Sequence, residues 1–322
     1  MSGILYLLSV DIGNVNDLTF RAYDALKNGK YFVVEDTRVF SDLLQRIRSI
    51  NYNNGRSSNG FNDKYFNDKY KEEEENKVKR EIISFHDHSE EKKIDKIISI
   101  LKEENDVYLL SDAGNPIISD PAYPLIEMSL KNEIEIKSIP GVSSILVALE
   151  LSGLPPYPFH FFGFFPREND KQTKIIDVLE YTDGTFIFFE SGKRLIKTVE
   201  FLVDKFPFSS LCICRELTKK FETVHRFNAN EWNNVRDNIV LKGEFCLLVN
   251  VDHFNKDGVS SKIRISRLKN KELKSLAQEI LDTGIRKKTL AKLLASILDI
   301  SNKDTYQQLN KHQINNIQSN IK

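Results

Sequence analysis

Val107-Tyr108-Leu109-Leu110-Ser111-Asp112-Ala113-Gly114-Asn115-Pro116 reads as a buried strand that gives way at once to a small, polar turn. Four apolar residues in succession suit a strand covered on both faces. The turn is made of residues that let backbone approach a ligand closely, and Asp112 can accept from an amine or a ribose hydroxyl. Working outward, apolar runs of the same kind lie at 4–10, 31–35 and 134–139. Between the first two, Leu18, Ala22, Ala25 and Leu26 recur at helical spacing, with Asn16 as the expected N-cap and Asn28-Gly29 as the stop. Strand, helix, strand in this rhythm predicts βαβ units and a mainly parallel sheet. Ligands of such sheets bind beyond the carboxyl ends of the strands, so each strand-end turn is a candidate site.

Three more turns qualify. Ile12-Gly13-Asn14 follows the first strand and lacks the G-x-G-x-x-G spacing of a dinucleotide site. Glu35-Asp36-Thr37-Arg38 packs acid and base at the end of the second, as a polar site or as a helix cap. Pro140-Gly141-Val142-Ser143-Ser144 opens a helix directly after a strand, with amides and hydroxyls suited to a carboxylate or an adenine edge. A plain strand-to-helix turn explains any one of them. Four together point to a ligand.

The rhythm breaks at 51–80, which is rich in Asn, repeats Phe-Asn-Asp-Lys-Tyr in tandem and ends in four glutamates. So polar a stretch predicts a disordered insertion within a first α/β domain at 1–153. Pro155, Pro156 and Pro158 then stiffen a connection to a second α/β domain of mixed sheet at 159–252, with strands expected at 160–165, 185–189, 211–215 and 245–251. A helical tail at 256–322 completes the chain, with apolar helical spacing at 273–281 and 290–298 and a capping box at Ser301 and Asp304.

Of the 322 residues, 40% are hydrophobic and 29% charged, which suits a soluble protein, and no apolar run nears the roughly 20 residues of a membrane span. Net charge is zero, yet unevenly spread. The tail holds 14 basic against 6 acidic residues, leaving 32 against 40 in the body. A basic tail on an acidic body suggests that the tail meets polyanion. Arg286, Lys287 and Lys288, after Gly284-Ile285, form the expected phosphate clamp in a turn between helices. Cys212, Cys214 and Cys246 have no metal-ligand spacing and read as reduced thiols of a cytoplasmic protein, the first two on one strand face.

The four turns fall in order with Phe85-His86-Asp87-His88, Gly163-Phe164-Phe165-Pro166 and Glu216-Leu217-Thr218-Lys219. Together they resemble the tetrapyrrole methylase family, in its branch of 2′-O-ribose cytidine methyltransferases of small-subunit ribosomal RNA. The resemblance runs from about residue 5 to 251, interrupted by the insertion. It implies a two-domain class III methyltransferase fold, S-adenosylmethionine folded in the cleft between domains, a homodimer, and the decoding-centre cytidine of 16S rRNA as substrate. By position, the cofactor would meet Ile12, Gly13, Asp112, Ala113, Gly114, Asn115, Pro116, Gly141, Ser143 and Ser144, with Phe189 and Gly243 from the second domain. Asp11 stands where the family usually has Pro, which puts a negative charge beside that site; Asn115 replaces its usual Thr.

Candidate catalytic groups are Glu190, Glu216 and Lys219, the last two open to reading as an ordinary ion pair. Substrate contacts are expected at Asp36, Arg38, His86, His88, Arg286, Lys287 and Lys288. The two histidines sit i, i+2 with no third ligand at usual spacing, so no metal is expected. Two other readings remain: a tetrapyrrole C-methyltransferase, against which the basic tail and the 35–38 and 216–219 motifs stand, and a catalytically silent rRNA-binding assembly factor.

Overall fold

The computed structural model of the chain describes residues 2–54, 79–85, 91–118, 122–251 and 283–298, with single positions at 280, 301, 303 and 306. Strands β1 (Leu5–Leu8), β2 (Tyr31–Val34), β3 (Glu81–Ser84), β4 (Val107–Leu110) and β5 (Ile136–Ile139) form a sheet of order β3-β2-β4-β1-β5. Every pairing in it is parallel. Successive side chains of β2 feed opposite layers: Val33 packs with Ile94, Ile97 and Leu101, while Phe32 and Val34 pack with Ala22, Leu26, Phe40 and Leu43. Burial on both faces is why β1, β2 and β4 read as unbroken apolar runs, which the edge strands β3 and β5 do not.

The second sheet has the order β6-β7-β10-β8-β9, from β6 (Phe159–Phe164), β7 (Gly184–Ser191), β8 (Ser210–Arg215), β9 (Thr223–Asn228) and β10 (Glu244–Val251). Only β6–β7 is parallel in it. One face of this sheet carries Phe186, Phe188, Leu211, Ile213 and Leu247 against Leu195, Val199 and Leu202 of the helix Gly192–Lys205. The other face carries Ile187, Cys212, Cys214, Cys246 and Leu248, which pack on Ile145, Ala148 and Leu149 of the helix Ser144–Ser152 and on Ile12. That helix follows the first sheet in the chain and lies in the core of the second. It joins the two.

Several local expectations change. The first helix, Phe20–Asn28, is capped by Thr19, whose hydroxyl accepts from the Ala22 amide at 3.2 Å, rather than by Asn16. Asn16 instead lies in the 3₁₀ turn Val15–Asp17 capped by Asn14. The helical spacing carried through this break because Leu18 packs on the same core as Ala22 and Leu26. The helix Thr37–Asn54 runs past residue 51, so residues 51–54 are helical where disorder was expected. β3 and the edge strand β9 have no counterpart in the sequence reading. Lys287 and Lys288 lie in the first turn of the helix Lys287–Leu298, with the Arg286 carbonyl accepting from the Thr289 and Leu290 amides, and not in a loop between helices. Residues 55–78 of the expected insertion lie outside the described residues, as do the expected tail helices at 273–281 and from Ser301 apart from the single positions 280, 301, 303 and 306. No helix among the described residues is long and apolar enough to cross a membrane.

Candidate active site

A cleft of about 500 Å³ opens between the two sheets, within the roughly 300–1,000 Å³ of small-molecule sites. The first-domain wall consists of Ile12, Glu35, Asp112, Ala113, Gly114, Asn115, Ile118, Ser143 and Ser144. Phe164, Phe189, Glu190, Ser191, Leu217, Gly243 and Glu244 face them from the second sheet. Among the described residues the lining holds four carboxylates and no Lys, Arg or His.

The first-domain turns are tied to one another. The Val10 amide donates to the Gly114 carbonyl at 2.9 Å, and the Gly114 amide to the Asp11 carbonyl at 3.1 Å. Asn115 accepts from the Ser9 hydroxyl at 2.6 Å and donates to the Val142 carbonyl at 3.5 Å. The Asp36 amide donates to Asp112 Oδ1 at 3.0 Å. Burial pushes the Asp112 carboxyl up, against the pull of that amide and of Arg38. Gly114 turns with φ +71°, and a Cβ there would stand 3.2 Å from Ile12 Cγ2, against the cleft wall. Ser143 precedes the helix Ser144–Ser152 and makes no side-chain cap bond, which leaves its hydroxyl to the cleft it lines.

Asp11 is buried but its charge is met. One oxygen accepts from the Gly13 amide at 2.9 Å and pairs with Arg46 Nη1 at 3.0 Å, while Oδ2 finds no hydrogen-bond partner. Arg46 was missing from the sequence reading, because thirty-five positions and a helix separate it from its partner. The negative charge expected beside the cofactor is held under the Ile12-Gly13 turn by a guanidinium, and Asp11 does not line the cleft.

Charges on the second wall pair with one another. Glu190 has both oxygens engaged: Oε1 accepts from the Ser191 amide at 2.7 Å, and Oε2 accepts from the Thr198 hydroxyl at 2.7 Å and pairs with Arg194 at 3.0 Å. Arg194 in turn donates to the Phe165 carbonyl. Lys219 Nζ bonds Glu216 Oε1 at 3.2 Å and Glu244 Oε2 at 2.7 Å. Burial pulls the Lys219 ammonium down, but the two carboxylates outweigh it and hold it protonated. Burial pushes Glu216 up, and the Glu244 amide and Lys219 override it to leave a net lowering. Glu216 and Thr218 both have positive φ, 50° and 64°, a backbone strain of about 1–3 kcal/mol each.

Nine of the expected cofactor contacts line the cleft, whereas Gly13, Pro116 and Gly141 do not. Gly13 lies under the Lys219 stem, where a Cβ would meet Cγ at 2.3 Å, and Gly141 abuts Ser9, with Cβ to Cβ at 2.8 Å. Glu190 lines the cleft; Glu216 and Lys219 reach it through Glu244, which the sequence reading missed although it adjoins Gly243. Asp36 caps its helix through the Arg38 amide at 2.8 Å and pairs with the Arg38 guanidinium at 2.5 Å, which holds its carboxyl at about 2. Arg38, Arg286, Lys287 and Lys288 are exposed, and His86 and His88 lie outside the described residues.

Comparison with known proteins gives the class. The fold matches solved structures titled as diphthine synthase (TM-score 0.52, 14% identity, 78% of this chain and 90% of that one) and as the cobalamin biosynthetic cobalt precorrin-4 methyltransferase (TM-score 0.51, 14% identity, 77% and 94%). This is the two-domain α/β architecture of class III methyltransferases. A family model described as tetrapyrrole (corrin/porphyrin) methylases matches residues 5–232, and the chain belongs to that family. Within it, the chain is similar to ribosomal RNA small subunit methyltransferase I of Halalkalibacterium halodurans, 31% identical over 94% of this chain and 93% of the relative. The protein of that name from Rickettsia prowazekii is 35% identical over 78% and 80%.

Proposed function

We propose that this chain binds S-adenosylmethionine in the cleft and methylates small-subunit ribosomal RNA, at the ribose 2′-hydroxyl of a decoding-centre cytidine in 16S rRNA, as a cytoplasmic homodimer. The observation that carries the reading is the make-up of the cleft: no basic side chain among the described residues lines it, and with Glu190 and Glu244 paired to Arg194 and Lys219 behind the wall, Asp112 and Glu35 on the first-domain side favour a cationic ligand over a polyphosphate cofactor. Asp112 suits the donor's ammonium or ribose hydroxyls, and Ser143 and Ser144 at their helix start suit its carboxylate. The relatives' name supplies the RNA, and the exposed Arg38, Arg286, Lys287 and Lys288 are the groups to meet its phosphates.

The bound donor supplies an electrophilic methyl on a sulfonium. A ribose hydroxyl is too weak an acid to ionise first, so its proton leaves as the new bond forms. Lys219 provides a fixed positive charge at the second-domain lip, which makes the hydroxyl's proton easier to remove as the bond forms. Glu216, held below its ordinary range, orients Lys219 and is a poor base. Glu244 is 78% exposed, lines the cleft and accepts from Lys219 at 2.7 Å, so it takes the proton through an oxygen that Lys219 does not occupy. Glu190 is a positioning residue that ties the cleft wall to Arg194.

Ribose-methylation mapping of 16S rRNA, from cells with and without the gene, tests the reading. One 2′-O-methylcytidine should vanish with the gene and return when purified protein and labelled donor are added to the unmodified subunits. Identical maps with rRNA binding intact would instead indicate an assembly factor, and methyl transfer to a tetrapyrrole alone would move the chain to the other branch.

A further inference from the structure

We propose, on the basis of the methyltransferase reading above, that Phe164 is the platform on which the pyrimidine base of the target nucleotide stacks. Strand β6 pairs with β7 in regular register from Phe159 to Phe161, opposite Thr185 to Ile187. The register then shifts, and Phe164 falls opposite Phe189. In an unbroken ladder Gly163 would hold that place, and Phe164 would point to the far side with Phe162. One extra residue, Gly163 at φ +68°, re-aims Phe164 onto the face shared by Phe161, Ile187 and Phe189. Phe165 returns to the opposite core and is fully buried there.

The bulge thus places one aromatic ring at the cleft and leaves it uncovered. Phe164 lines the cavity yet is 58% exposed, and Ile118 from the opposite wall, at 42%, is the other exposed large apolar side chain of the lining. Of the other large apolar side chains in the lining, Ile12, Ile145, Leu217 and Phe245 are buried and Phe189 is half-buried. Phe164 packs across Phe189, with centroids 5.7 Å apart and planes at 64°, which holds the ring in place while 58% of the side chain stays exposed. The strand end behind it is pinned by Arg194 on the Phe165 carbonyl and by the Glu190–Arg194 pair. A rigid, wet aromatic face beside a small-molecule cleft is what an unstacked base needs, and a base delivered there brings its own ribose to the cleft mouth.

The test compares full-length wild type with F164L, F164A and F164Y on small subunits from cells lacking the gene, reading methyl incorporation, and on donor binding by calorimetry. Stacking on one aromatic contributes roughly 1–3 kcal/mol per base, so F164L and F164A should raise KM for subunits by roughly 5- to 150-fold. F164Y should restore most of it, and donor affinity and melting temperature should not move. Wild-type KM in F164L overturns the platform, and so does a loss of donor affinity in F164L, which would assign the ring to the donor. A wild-type protein inactive on subunits overturns the methyltransferase reading itself, and this proposal with it.

Discussion

The two walls of the cleft are built on opposite plans. On the first-domain side, short side chains and backbone groups bond from turn to turn, and the surface they leave is small, polar and fixed. On the second-domain side, long charged side chains bond one another, Glu190 with Arg194 and Lys219 with Glu216 and Glu244. The first plan sets a shape before any ligand arrives. The second sets a field, because each charge is oriented by a partner and needs no rearrangement when charge develops nearby. Donor affinity should therefore depend most on the first wall, and turnover on the charged pairs of the second.

The largest effect that could break this division concerns two glycines. Gly114→Val puts a branched side chain at φ +71° against Ile12 on the cleft wall and should abolish donor binding in calorimetry. Gly141→Val drives its Cβ into Ser9, away from the cleft, and should show first as a lower melting temperature. Selective loss of donor binding in the second variant, with normal binding in the first, would reverse the assignment. Lys219→Met should lower kcat about 100-fold or more while donor affinity stays put. An equal loss in donor affinity would make the second wall a binding wall.

Smaller effects sharpen the picture. Arg46→Met strands the buried Asp11 carboxylate and should cost about 2 kcal/mol in urea unfolding, less than the roughly 3–5 kcal/mol of a fully buried pair, because Arg46 keeps 34% exposure. An unchanged midpoint would mean that water already serves Asp11. The last effect is one of pH. Asp112 is raised in the fold, so the native state holds its proton more tightly than the unfolded chain does, and ionising it costs stability at neutral pH. A cationic ligand recovers that cost only while Asp112 is ionised. Donor affinity should fall as pH drops through a value above the ordinary Asp range, and Asp112→Asn should flatten the profile.

The fold was legible where burial is simple. Strands covered on both faces announce themselves as apolar runs, and the turns after β1, β4 and β5 carry the small residues that the cleft uses. β9 stayed hidden because His225 and Arg226 interrupt it and its two apolar residues, Val224 and Phe227, face opposite layers, so it shows neither a run nor an alternation. β3 stayed hidden because it is four residues long and emerges directly from the Asn- and Glu-rich stretch. In the site, the Asp11–Arg46 pair and the Lys219–Glu244 bond have no local signal, since each joins elements that only the fold brings together. Phe164 sits in a quoted motif, but its direction depends on a bulge that no two-residue alternation reveals.

The helix Ser144–Ser152 has a kinetic consequence. It carries Ser144 at the cleft and buries Ile145, Ala148 and Leu149 in the layer beneath the second sheet, where Ile12 of the first domain packs with them, so the two halves meet in one apolar seam at Ile12. A hinge that swung them apart would expose that seam to water, at a cost proportional to its area. The cleft therefore has no inexpensive open state to wait in. A donor should enter through a standing mouth, with an observed rate that rises linearly with its concentration and shows no plateau from a slow closing step.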